Sequence, residues 1–184
     1  VNGRQVRYLE RLRSASFTAQ EDAFFVDCGL TYDGAPATTI SGLYHLEGMT
    51  VQILADGAVQ PDQVVTGGTI TLVDAASVVH VGLQYSSDLV TLPVVLEGMQ
   101  AAGQGVTKNV NNVRMRVRSS SVVKGGPSFD KLITPPSRAV TDAYDSPPAL
   151  RTEEIRFAFT PTWAADGQIC LRQDLPLPLV VLSI

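Results

Sequence analysis

Two histidines, two cysteines and a scatter of carboxylates are the side chains of this sequence best suited to proton transfer, nucleophilic attack or metal binding. His45 lies in Leu43-Tyr44-His45-Leu46-Glu47-Gly48, where a base steadied by Glu47 can be imagined. Residues this close in sequence diverge on a regular element, so a structural or exposed histidine is expected instead. His80, flanked by Val78, Val79 and Val81, reads as a hydrogen-bonded member of a sheet. The nitrogen and sulfur donors His45, His80, Cys28 and Cys170 include no close pair of the C-x-x-C kind, so neither a metal site nor a cofactor is expected. Cys28 and Cys170 can pair only if the fold brings their Cα atoms within about 7 Å. Buried free thiols are the expectation, because a free cysteine behaves as a small hydrophobe.

A hydrolase built on paired carboxylates would draw on Asp27, Asp33 or Asp56, but the last two belong to Asp-Gly pairs, whose turn geometry already accounts for them. There is no G-x-S-x-G elbow, no P-loop and no dinucleotide fingerprint. The chain therefore reads as a non-enzyme with no catalytic residues. Its sharpest charged feature is the row Arg114, Arg116 and Arg118, which suits either a solvated strand face or an interface with an acidic partner. The same two readings apply to Arg4, Arg7, Arg11 and Arg13. Tyr32, Tyr44, Tyr85 and Trp163 are the aromatics that a glycan- or receptor-binding module would use as stacking platforms.

The composition bounds the elements that must position these residues. Of 184 residues, 45% are hydrophobic and 17% charged, enough for a core and too apolar for a disordered chain. The net charge of −4 argues against a dedicated nucleic-acid binder. No apolar run approaches the roughly 20 residues needed to cross a bilayer, so a soluble chain is expected. Residues 1–12 read as a strand, and both ends look like cuts through a longer polypeptide.

Turn chemistry sets the rhythm. Asp33-Gly34, Asp56-Gly57, Asp166-Gly167, Gly67-Gly68 and Gly125-Gly126 are pairs that tolerate the positive φ of tight hairpins. Between them lie β-branched runs at Thr50–Ala55, Ala58–Thr66, Thr69–Val73 and Val78–Leu83. One hairpin turns at Asp56-Gly57, with Val51 and Ile53 on one face and Gln52 on the other. A second pairs Val64-Val65 with Ile70 and Leu72 across Gly67-Gly68. Val113, Met115 and Val117 alternate with the arginines, and Ile155, Phe157 and Phe159 alternate in the same way. Asp166-Gly167 turns the strand at 155–159 into residues 168–172, and Leu179–Leu182 closes the chain. Pro176 and Pro178 place residues 172–179 at an edge or a crossing point.

Helix is confined to single turns within residues 17–25 and 43–46. The proline-rich stretch 124–150 reads as an extended excursion. The expectation is an all-β chain of small barrel or sandwich units: a meander domain at 1–98 and a sandwich-like half at 99–184. The boundary falls near Gly98–Gly105, and residues 1–25 are candidates to pair with the second unit.

The stretch Phe25-Val26-Asp27-Cys28-Gly29-Leu30-Thr31-Tyr32-Asp33-Gly34, with residues 40–48, 51–57 and 81–85, resembles phage virion proteins of the tail tubular protein B, or tail nozzle, type. Residues 112–118, 126–130 and 163–182 fit the same pattern, which places the chain near the C-terminal end of such a protein. Cys28, Tyr44 and Met49 stand where that pattern has more polar residues. The resemblance implies a structural virion component in a phage tail, part of the DNA-ejection conduit. It also implies a homo-oligomeric ring, a hexamer in the pattern, that contacts neighbouring tail proteins and meets DNA only in passage.

Overall fold

The computed structural model describes residues 7–14, 16–93, 107–138, 140–160, 163–164 and 166–184. The protein is all-β. Its described strands form antiparallel sheets, and the described helical segments are short 3-10 turns, two of them at Gln20–Asp22 and Tyr44–Leu46 where single turns are expected. No helix among the described residues is long and apolar enough to cross a membrane.

The chain divides into two compact units. Unit 1 comprises Val1–Tyr85, Val140–Leu150 and Asp174–Pro178; unit 2 comprises Ser86–Ala139, Arg151–Gln173 and Leu179–Ile184. The proline-rich excursion is thus shared, with residues 140–150 belonging to unit 1. The boundary expected near Gly98–Gly105 lies outside the described residues, as does Arg4.

Unit 1 is built on β1 (Asp27–Ser41), β2 (Thr50–Ala55), β3 (Ala58–Val64) and β4 (Thr69–Leu83), in the order β1-β4-β2-β3. Asp56 and Gly57 take φ of 45° and 76°, and Gly67 and Gly68 take 62° and 69°, so both expected hairpin turns form. Asp33-Gly34 does not turn. It lies inside the 15-residue β1, where the register with β4 shifts between Asp33 and Ala37. A bulge there absorbs extra residues without ending the strand.

The runs at 69–73 and 78–83 are likewise one strand, β4. Its core-facing residues change parity, from Ile70 and Leu72 to Val79 and Val81. Beyond that change both faces are covered, so His80 is also buried. Gln52 lies apart from the core that holds Val51 and Ile53, and its side of the sheet is covered too. It is buried, and its amide donates to the Asp174 carbonyl at 2.9 Å. Residues 7–14, read as part of an opening strand, carry no strand.

Unit 2 holds β5 (Ser87–Val90), β6 (Lys108–Asn109), β7 (Asn112–Val117), β8 (Lys124–Gly126), β9 (Glu154–Ala158), β10 (Trp163–Ala164), β11 (Cys170–Gln173) and β12 (Val181–Ser183). They pair as β5-β11-β8, β12-β7-β9 and β10-β6. Alternation is strict on β7 and β9, and Val113, Met115, Val117, Ile155 and Phe157 join Ile169 and Leu171 in one core. Gly125-Gly126 is strand rather than turn. A Cβ on Gly125 would stand 2.8 Å from Phe157 Cε1, so the glycine lets the ring lie against the backbone. Of the two readings of 172–179, the edge does not hold, since β11 is flanked on both sides and Pro176, Leu177 and Pro178 are buried. The crossing point does, since Asp174–Pro178 belong to unit 1 between two stretches of unit 2.

Phe157 is fully buried and stacks on Phe159 with centroids 5.8 Å apart. Phe157→Ala is expected to lower the unfolding free energy by about 3–5 kcal/mol in urea titrations. A loss under about 1 kcal/mol would show that the ring is not central to the core.

Candidate functional site

Unit 1 contains a cleft. About 890 Å³ in volume, it runs between the extended segment 8–13 and a wall that includes Asp27, Cys28, His45 and Tyr85. Residues 8–13 are held over the sheet by side chains rather than by strand pairing. The Tyr8 ring meets His45 edge-on at 6.0 Å. Arg13 lies 5.3 Å from the Phe24 ring centroid, and its Nη2 donates to Thr31 Oγ1 at 2.8 Å.

His45 and Glu47 are not brought together. His45 Nε2 donates to the Cys28 carbonyl at 2.8 Å, because a carbonyl can only accept. Glu47 accepts from the Gly67 and Gly68 amides at 2.8 and 2.6 Å, bracing the turn. Asp56 is also engaged in the fold: its carboxylate accepts from the Ser77 and Val78 amides at the bend of β4. Asp33 is exposed on β1. His45, Glu47 and Asp56 therefore each have a local structural account.

Asp27 does meet a second carboxylate, that of Glu10, with Cys28 between them; their ligand atoms lie within 4.8 Å of one another. Sequence gives no sign of this, because Glu10 arrives on a segment without regular structure. Cys28 is half-buried at a φ of 50°. Its thiol is pushed up to about 11, chiefly by its hydrogen bond to Glu10, then by burial and the charge of Asp27. A thiol so held is protonated at neutral pH, which makes it a poor nucleophile and obliges it to lose a proton before ligating a cation. Cys170 is buried in unit 2, and both cysteines are free.

His80 sits at the centre of a second polar arrangement. Its Nε2 donates to the Glu21 carbonyl at 2.9 Å, which leaves Nδ1 to accept from Thr31 Oγ1 at 2.9 Å. Thr31 in turn accepts from Arg13. Burial is the main reason that His80 titrates below its ordinary 6.5, and the nearby Arg13 charge adds to the effect; the bond to Glu21 and the Asp22 carboxylate act against it. The neutral ring fits this network: a second ring proton would face a hydroxyl that already accepts from a guanidinium.

In unit 2, Arg114, Arg116 and Arg118 are exposed, as the alternation requires. β9 brings Arg156 directly opposite Arg114 and Glu154 opposite Arg116. Arg114 pairs with Glu154 at 2.9 Å, and Arg156 Nε donates to Asn112 Oδ1 at 3.0 Å. The sequence marks the row on β7, but it cannot show that Arg156 joins it, since register is a property of the folded sheet.

Each of the four aromatics has its own local surroundings. The Tyr32 hydroxyl donates to the Ala35 carbonyl, Tyr44 covers Gly68, Tyr85 lines the cleft, and Trp163 belongs to unit 2. Set against family models and curated proteins, the chain matches none.

Two outcomes follow from the titrating groups. Cys28 should react slowly with iodoacetamide near pH 8, and Glu10→Gln should speed it several-fold by removing the main cause of the raised pKa; equal rates would sever that link. For His80 the folded pKa is depressed, so its stabilising effect is complete above the unfolded value near 6.5 and declines as pH falls below it. Urea titrations between about pH 7 and pH 5 should show a steeper loss of stability for the native chain than for His80→Gln.

Proposed function

We propose that this chain is a structural component of a phage tail, of the nozzle or tail tubular type, acting in tail assembly and as part of the DNA-ejection conduit. One observation carries the reading. Residues 25–34, 40–48, 51–57 and 81–85, on which the resemblance rests most heavily, converge on the sheet of unit 1 and the segments packed against it. There they act as turns, braces and core: Glu47 and Asp56 hold turns and bends, His45 holds a carbonyl, and Val51, Ile53 and Val81 are buried.

Such a set of roles suits a rigid building block rather than a catalyst. Its partners are further copies of the chain and adjoining tail proteins, with DNA passing through, and its place is the virion. The proline-rich excursion 124–150, whose residues belong partly to unit 2 and partly to unit 1, would bridge subunits or subdomains.

Native mass spectrometry and negative-stain microscopy at tens of micromolar test the proposal. Discrete, closed oligomers are expected. A strict monomer under all salt conditions would sink it.

A further inference from the structure

The net charge of the chain conceals a division. Unit 1 carries four arginines and no lysine against twelve acidic residues, a formal charge of −8, while unit 2 carries ten basic residues against six acidic ones, a formal charge of +4. The two units are therefore strongly charged with opposite sign.

Part of the positive charge of unit 2 lies where the fold makes little use of it. Arg172 is consumed internally, gripping Asp88 through two bonds of 2.7 Å and lying over Phe129. On the exposed face of β7 and β9, by contrast, Arg114, Arg116 and Arg156 lie with Arg118 just past the end of β7, and Glu154 pairs with Arg114. No ion pair reaches Arg116 or Arg118 among the described residues. Arg114 directly faces Arg156, and like charges in opposite cross-strand positions destabilise a sheet. The Arg114–Glu154 pair is largely exposed and offsets little of this. Such a face is at its best against an anionic surface.

Unit 1, the acidic unit, exposes carboxylates that could meet it. Asp33 on β1, Asp62 on β3 and Asp74 on β4 are all exposed and belong to strands of one sheet. None of the three makes an ion pair among the described residues. Unlike Glu47 and Asp56, they hold no turn.

We infer that the arginine face of unit 2 docks onto the aspartate-bearing sheet of unit 1 in a second copy of this chain, a head-to-tail contact driven by opposite charge. The inference rests on the reading of the chain as a self-assembling structural protein, and it names the surfaces that meet. Such a contact is heterologous: each copy offers one face of each sign, and two different patches meet. Guanidinium groups suit it because they pair carboxylates in planar, two-point geometry. It also makes association sensitive to ionic strength.

Complementation between two full-length variants tests the contact. Arg116→Ser with Arg118→Ser removes charge from the basic face and leaves the acidic one; Asp33→Asn with Asp62→Asn and Asp74→Asn does the reverse. All five positions are exposed, and circular dichroism with urea titration confirms that each variant folds. In sedimentation velocity the native chain should associate, with affinity falling about tenfold or more between roughly 50 and 500 mM salt. Each variant alone should be monomeric. Mixed, they should form a one-to-one complex and stop there, since only one competent pair of faces remains.

Native-like association of either variant alone overturns the contact while leaving self-assembly standing. So does unchanged self-association of the arginine variant together with loss of binding to a short duplex DNA, which would assign the face to nucleic acid. A native chain that stays monomeric at low salt overturns both this contact and the assembly reading.

Discussion

Fifteen residues of β4 serve two neighbouring strands, and they do so by changing which side of the strand faces the core. Ile70 and Leu72 point inward on one parity, Val79 and Val81 on the other. An uninterrupted strand cannot do this, because side chains alternate with a period of two. The change is fixed by Asp56, whose carboxylate accepts from the amides of Ser77 and Val78 at the bend, while its own amide donates to the Val78 carbonyl at 2.8 Å. A turn residue of one hairpin thereby sets the phase of a strand outside it. With the phase set, His80 is turned away from the main core into the polar network of Thr31, Arg13 and Glu21.

Unit 2 meets the same requirement by simpler means. β7 and β9 keep strict alternation throughout, so one face is entirely core and the other entirely solvent. Regularity of that sort leaves the outer face free of packing duties, and its charges can be chosen without cost to the core. Glycine at position 125 supplies the remaining adjustment by letting Phe157 close against the backbone.

How much of this was legible in the sequence depends on whether local chemistry decided the outcome. The turns at Asp56-Gly57 and Gly67-Gly68 were legible, because two consecutive residues at positive φ demand such pairs. So were the buried faces of β7 and β9, where periodicity is a direct projection of the sheet. Asp33-Gly34 and Gly125-Gly126 have similar local chemistry and misled, because long-range pairing to β4 and β11 outweighs a turn preference. The pairing of Glu10 with Asp27 and Cys28 was invisible, since segment 8–13 is placed by aromatic and guanidinium contacts that carry no periodic signal. The arginine face was half legible: the row itself, but not Arg156 across from it.

The long β1–β4 pair also has a mechanical side. Its register begins at Asp27 opposite Leu83, so the chain enters β1 and leaves β4 at the same end of the ribbon. Tension applied through those two points would load the backbone bonds one pair at a time, from Asp27–Leu83 inward, as a zipper opens, instead of stressing all of them together in shear. Resistance to pulling at that end must therefore come from what is clamped over it. In unit 1 that clamp includes Gln52 and Gln84, whose amides both grip the carbonyl of Asp174.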